Sequence, residues 1–254
     1  MGKSMAQVTK ILQNSPVNPE SFESRVDVWA NYFHAKSVLK SKHHLTAFFI
    51  DSAIHLVKDN GCTQKDARLL VDYVFSRPTG DTYQEIGGVM VTLACLCSAS
   101  GINMHDDGEA ELSSICTNPI MRPMAVIDIT EQDTFQSRVV PWLKHCFGEE
   151  IAADRVERNH RFLEESLELV QAEGVTAEQA HYWVAEAYKK EALSPQPALS
   201  VGNVMVNLAV LCRSLGLCMH ENADIELARI WTKVEKIRHK QKTKPKHSPL
   251  PMAQ

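Results

Sequence analysis

Three carboxylates crowd one short run of the chain: Glu164, Glu165 and Glu168 lie within Phe-Leu-Glu-Glu-Ser-Leu-Glu-Leu-Val, residues 162–170. On a helix, spacings of three and four bring all three toward one side within a single turn. Like charges so placed repel by tenths of a kcal/mol when exposed and by considerably more when turned inward without a cation. The flanking Phe162, Leu163, Leu167, Leu169 and Val170 predict a partly buried helix. A divalent cation is then the economical counter-charge, and oxygen-only ligands suit Mg²⁺ or Mn²⁺ held together with substrate phosphates and water. The plain alternative is a solvated Glu-rich face. A second acid, Glu85, precedes Gly87-Gly88 at the start of a strongly apolar stretch. There the missing Cβ atoms admit a neighbouring helix or a ligand, although one acid at a helix start is also ordinary dipole compensation.

The elements that must position these acids are helices. Phe22, Val26, Trp29 and Phe33 mark one face of an amphipathic helix within residues 21–40. A second helix is expected from His43 to Asp59, stopping at Asn60-Gly61. Thr63 is placed as the N-cap of a third, running through Ala67, Leu70, Val71 and Val74 toward Pro78. The run from Tyr83 to Ser100 is almost continuously apolar and predicts the buried helix, ending at Gly101.

The same order returns. Phe22, Ser24, Arg25, Val26 and Trp29 recur as Phe135, Ser137, Arg138, Val139 and Trp142, at an offset of 113 residues (22 to 135) that still holds at Gly61/Gly174 and Thr63/Thr176. Two residues later in register, Gly87, Val89, Met90, Leu93, Ala94, Leu96 and Cys97 recur from Gly202 to Cys212, Met104-His105 matches Met219-His220, and Glu111-Leu112 matches Glu226-Leu227. In the second copy helices are expected from Thr134, from Asp154 to Ala172, after the cap Thr176, and from Leu199 to Leu215, with Pro195 and Pro197 in the connection. Copies this long read as a duplicated domain rather than a solenoid. The expected organisation is a leader (1–20), a first repeat (21–119), a linker containing the β-branched Val126–Ile129 (120–133), a second repeat (134–232) and a basic tail (233–254). The class is all-α, with two four-helix-bundle-type units packed as an internal pseudo-dimer.

The acids are divided between the copies. Opposite Glu164, Glu165 and Glu168 the first copy has Asp51, Ser52 and His55, and opposite Glu85 and Gly88 the second has Ser200 and Asn203.

Composition narrows the classes. No apolar run has the length of a membrane span and no basic-then-apolar leader is present, so a cytoplasmic protein is expected. Seven cysteines, with Cys95 and Cys97 in a CxC rather than a CxxC pattern, imply neither disulfides nor a zinc site. A net charge of −4 argues against a dedicated nucleic-acid binder. The segment from Lys233 to His247 is basic, starting as a helix and finishing as an extended tail, and reads first as a solubilising terminus, next as a phosphate contact to a ligand and last as an RNA or DNA contact. His43-His44, His105 and His220 adjoin no nucleophile motif, and Gly87-Gly88 is not a phosphate loop.

Glu-Glu-Ser-Leu-Glu, together with a Gln-Glu-Ile-Gly-Gly-Val-Met-Val-Thr-Leu-Ala helix, resembles the MazG-like all-α nucleoside triphosphate pyrophosphohydrolases, in particular their phage-encoded branch. The resemblance spans both repeats and the basic tail. It implies a Glu-Glu-x-x-Glu motif on one helix and a Glu-x-x-Asp motif on its neighbour, together holding Mg²⁺ against a triphosphate. Glu164, Glu165 and Glu168 match the first motif and Glu85 the leading acid of the second, whose closing Asp is replaced by Gly88 and Asn203. Complementary loss suggests one composite site, combining the first-motif helix of repeat 2 with the second-motif helix of repeat 1, and a dead counterpart at Asp51, His55, Ser200 and Asn203. The resemblance implies release of pyrophosphate from a (deoxy)nucleoside triphosphate. Metal ligation is expected from Glu165, Glu168, Glu85 and Glu164, with Glu164 and Glu165 also serving catalysis. Lys233, Lys236, Arg238 and Arg77 are candidate phosphate contacts. The alternative is a degenerate relative that binds a nucleotide or a protein partner without hydrolysis. No membrane or nucleic-acid partner is expected; a homodimer is possible in addition to the internal pairing, and host cytoplasm is implied if the chain is phage-encoded.

Overall fold

The computed structural model describes residues 21–33, 41–116, 134–189, 194–243 and 249–250. Among these are eleven helices and no strand, so the chain is all-α. They are α1 (Phe22–Phe33), α2 (Lys42–Asp59), α3 (Gln64–Phe75), α4 (Thr82–Ser100), α5 (Met104–Ile115), α6 (Phe135–Ala152), α7 (Arg155–Ala172), α8 (Ala177–Lys189), α9 (Pro197–Leu215), α10 (Met219–Trp231) and α11 (Val234–Lys242). The leader and the Val126–Ile129 stretch lie outside the described residues.

Helix ends follow local chemistry. The Thr63 side chain accepts from the Asp66 N–H to open α3, and Asp154 accepts from the Val156 and Glu157 N–H groups to open α7. Thr176 and Gln179 form a reciprocal capping box before α8. Gly101 and Gly216, each just beyond a buried helix, adopt φ of 68° and 73°, the left-handed region that a Cβ disfavours. Pro197 is not in the connection as expected. It occupies the first turn of α9, where its missing N–H has no intrahelical acceptor to lose. Each half also carries a helix that was not anticipated, α5 and α10.

The packing runs between the halves of the chain. The buried helix α4 packs on α6, α7 and α10, all from the second half, while its counterpart α9 packs on α1, α2 and α5 from the first. Other contacts across the halves are reciprocal as well: α3 lies on α7 as α8 lies on α2, α2 meets α7, and α3 meets α8, whereas α11 and α10 touch α6 within the second half. One continuous hydrophobic core results, with Phe49, Ile50, Leu93 and Leu96 beside Phe162, Leu167, Leu208 and Leu211. α9 is long and apolar enough to cross a membrane, but it is wrapped by α1, α2 and α5 inside the protein.

Candidate metal centre

The contact between α4 and α7 decides where the acids meet. Glu85 stands in the first turn of α4 and Glu165 and Glu168 on the face of α7 that α4 covers. One carboxylate oxygen from each of the three lies within 4.8 Å of the others. Three acids from two distant stretches thus come together, Glu85 from α4 with Glu165 and Glu168 from α7; Glu164, also expected as a ligand, is not among them and pairs with Arg161 on the same helix. Among the described residues this is the one cluster of its kind.

Local backbone makes the approach possible. A Cβ at Gly88 would fall on the Glu165 carboxylate, and one at Gly87 would collide with the Glu226 side chain and the Asn222 carbonyl of α10. Gly80, before α4, leaves the space that the Glu85 carboxylate occupies. Gly87 therefore lets α10 close on α4 and bring in a fifth acid, Glu226, only 5% exposed. Nothing in the sequence spacing connects residue 226 with residue 85; its one signal was recurrence opposite Glu111.

Charge in the cluster is incompletely balanced. Arg77 pairs with Glu168 and reaches Glu164 at 3.6 Å, Arg161 pairs with Glu164, and Arg229 grips both oxygens of Glu226. Fully ionised, five carboxylates against three guanidiniums leave an excess of two negative charges. Neither Glu85 nor Glu165 has a hydrogen-bond or ion-pair partner among the described residues, although Glu85 is only 5% exposed. Burial, reinforced by Glu226 and opposed by Arg77 and Arg229, pushes the Glu85 carboxyl up to about 7. Burial with Glu164, Glu85 and Glu226 nearby pushes Glu165 up to about 8. Arg229 is raised in turn, first by its bond to Glu226 and further by Glu165 and Glu85.

A divalent cation fits these donors. They are all carboxylate oxygens, and a Mg²⁺ ion with bonds of ~2.1 Å spans opposing ligands ~4.2 Å apart, which the present separations reach with small side-chain movements.

Of the basic residues expected near phosphate, only Arg77 is at the cluster. Arg238 turns the other way, donating to the His145 and Cys146 carbonyls of α6, and Lys233 and Lys236 are exposed on or beside α11. Arg161 and Arg229 take the places beside the acids; each stands three residues from the Glu it binds, a helical spacing that was legible in retrospect. The counterpart residues have other partners. His55 Nδ1 lies 2.8 Å from the Asp51 carbonyl and 3.6 Å from its carboxylate, Ser200 donates to Asp59 at 2.7 Å, and Asn203 donates to the Leu199 carbonyl.

No family model, curated protein or solved structure matches the chain.

Proposed function

We propose that the chain is a Mg²⁺- or Mn²⁺-dependent nucleotide pyrophosphohydrolase of the MazG-like kind, converting a (deoxy)nucleoside triphosphate to monophosphate and pyrophosphate at a single composite site. The observation that carries this is the convergence of Glu85 from α4 with Glu165 and Glu168 from α7. The reading includes the architecture: two repeats form an internal pseudo-dimer in which each buried helix packs into the other repeat, supported by the reciprocal contacts of α4 and α9. It would leave one live site and one site lost at Asp51, His55, Ser200 and Asn203.

Glu85, Glu165 and Glu168 would hold the cation. When bound, a divalent ion supplies charge neutralisation and polarisation of phosphate oxygens. A water oxygen attacks the α-phosphorus, the bond from that phosphorus to the bridging oxygen breaks, and pyrophosphate departs with that oxygen. Glu164 and Glu165, adjacent on α7, are the carboxylates to orient the water and take its proton. Glu164 is held for this by Arg161 and Arg77.

The test is phosphate release from a panel of nucleoside triphosphates with Mg²⁺ and a coupling pyrophosphatase. Phosphate that appears only with the coupling enzyme present, and not in Glu165→Gln, supports the reading. Gly88 in place of the second-motif Asp, and Arg77 already seated on Glu168, favour the second reading, a nucleotide binder without turnover. Nucleotide binding with no release from any triphosphate would establish that reading instead.

A further inference from the structure

The Arg77 guanidinium sits on Glu168, one of the three acids that converge, and this position is not an incidental surface pairing. The Arg77 backbone is fixed: its N–H donates to the Val74 carbonyl at 3.0 Å, its carbonyl accepts from Gln171 of α7 at 3.2 Å, and Pro78 follows. The side chain lies over the Tyr73 ring at 4.4 Å from the centroid, with Nη1 donating to the Tyr73 hydroxyl at 3.4 Å and Nη2 toward Glu168 and Glu164, while its buried Nε has no hydrogen-bond partner. An arginine stacked on a ring can turn its planar fork between a carboxylate and a phosphate without losing the stack.

Beside it, Glu85 is buried, unpartnered and directed at the same point. Arg77 therefore answers Glu168 and Glu164 but leaves Glu85 and Glu165 without an ion-pair partner. A divalent ion drawn there by Glu85 and Glu165 would share Glu168 with a guanidinium, and two cations on one carboxylate repel.

We propose that Arg77 is a built-in counter-cation which a divalent ion displaces from Glu168, and that the displaced guanidinium becomes a contact for the substrate's phosphates. This rests on the pyrophosphohydrolase reading for its substrate, but its first half concerns the metal alone. Metal entry and phosphate recognition are thereby linked: the arginine that leaves the carboxylate is the one the triphosphate needs, and the apo site is kept closed to anions by its own acids.

The experiment is Mn²⁺ binding to the full chain without nucleotide, read from the free-ion electron paramagnetic resonance signal, in wild type, Arg77→Met and Arg77→Lys. Arg77→Met keeps the stem and removes the competing charge. It is expected to bind Mn²⁺ roughly threefold to tenfold more tightly than wild type, while the KM for the triphosphate rises. Arg77→Lys keeps a charge but loses the fork, so its Mn²⁺ affinity stays near that of wild type and its KM rises. A folded Arg77→Met that binds Mn²⁺ no more tightly than a binding-competent wild type overturns the displacement and leaves the proposed function standing. Absence of Mn²⁺ binding in wild type and variants alike overturns both. Should Arg77→Met fail to fold, an unchanged KM in Arg77→Lys overturns the phosphate role.

Discussion

Glu165 and Glu85 are the residues at which the cost of the cluster is concentrated. Both carboxyls are held above their ordinary range, at about 8 and about 7, first by burial and then by neighbouring acids. A carboxyl whose folded pKa exceeds its unfolded value favours the folded state fully below that unfolded value, and the contribution is lost as pH rises through the folded pKa. The chelated protein should accordingly lose stability from about pH 4.5 to pH 8. His105 acts in the opposite direction. Burial, with His220 stacked at 5.6 Å, brings it down to about 4, so its share of stability is present above about pH 6.5 and lost as pH falls toward 4. Thermal melts with a chelator should fall on the alkaline side by at least the roughly 2–4 °C that 1 kcal/mol moves a chain of this size. Glu165→Gln should flatten that limb and leave the acid limb unchanged. Melts with an equally steep alkaline limb in Glu165→Gln would remove this residue from the account.

At the scale of elements, the two glycines of α4 perform different tasks. Gly87 faces backbone and a Cβ of α10, so Gly87→Ala must push helices apart, costing about 1–3 kcal/mol. Gly88 faces the end of the Glu165 side chain, so Gly88→Ala should be nearly neutral in melting temperature, helped by the better helix propensity of Ala, yet should weaken Mn²⁺ binding by displacing a ligand. Equal losses of stability in both variants would contradict this division. The helices themselves were largely legible: α2, α4, α7 and α9 begin and end within two residues of expectation, because apolar periodicity and the Thr, Asp and Gly signals at their ends are local. α5 and α10 were not, since their polar first turns, Met-His-Asp-Asp and Met-His-Glu-Asn, hide an amphipathic pattern among few apolar residues. The acids of α7 were visible through their three- and four-residue spacing. Glu226 and Arg229 were not assigned to the site, because helix packing rather than sequence distance brings them to it, whereas Arg161 was within reach of the three-residue spacing to Glu164 and was missed.

At the scale of the whole molecule, the reciprocal packing means that neither half encloses its own buried helix. α4 is covered by α6, α7 and α10, and α9 by α1, α2 and α5, within one core. Residues 1–119 and 120–254 produced separately should therefore be unfolded or aggregated, while co-expression as two chains should yield a one-to-one complex with the helical circular dichroism of the intact protein. Two independently folded, monomeric halves would refute the exchange. On the proposed reading the same topology would make the site composite: α4 and α7 come from opposite halves, so one half alone supplies only Glu85 or only the Glu164–Glu168 turn.

The most direct measurement is the Mn²⁺ stoichiometry and affinity of the intact chain, compared with Glu85→Gln from the first half and Glu168→Gln from the second. The account predicts one ion per chain, with affinity falling roughly tenfold or more in each variant, because both halves ligate the same ion. Two ions per chain, or a Glu85→Gln protein that binds as tightly as wild type while Glu168→Gln does not, would contradict the composite site.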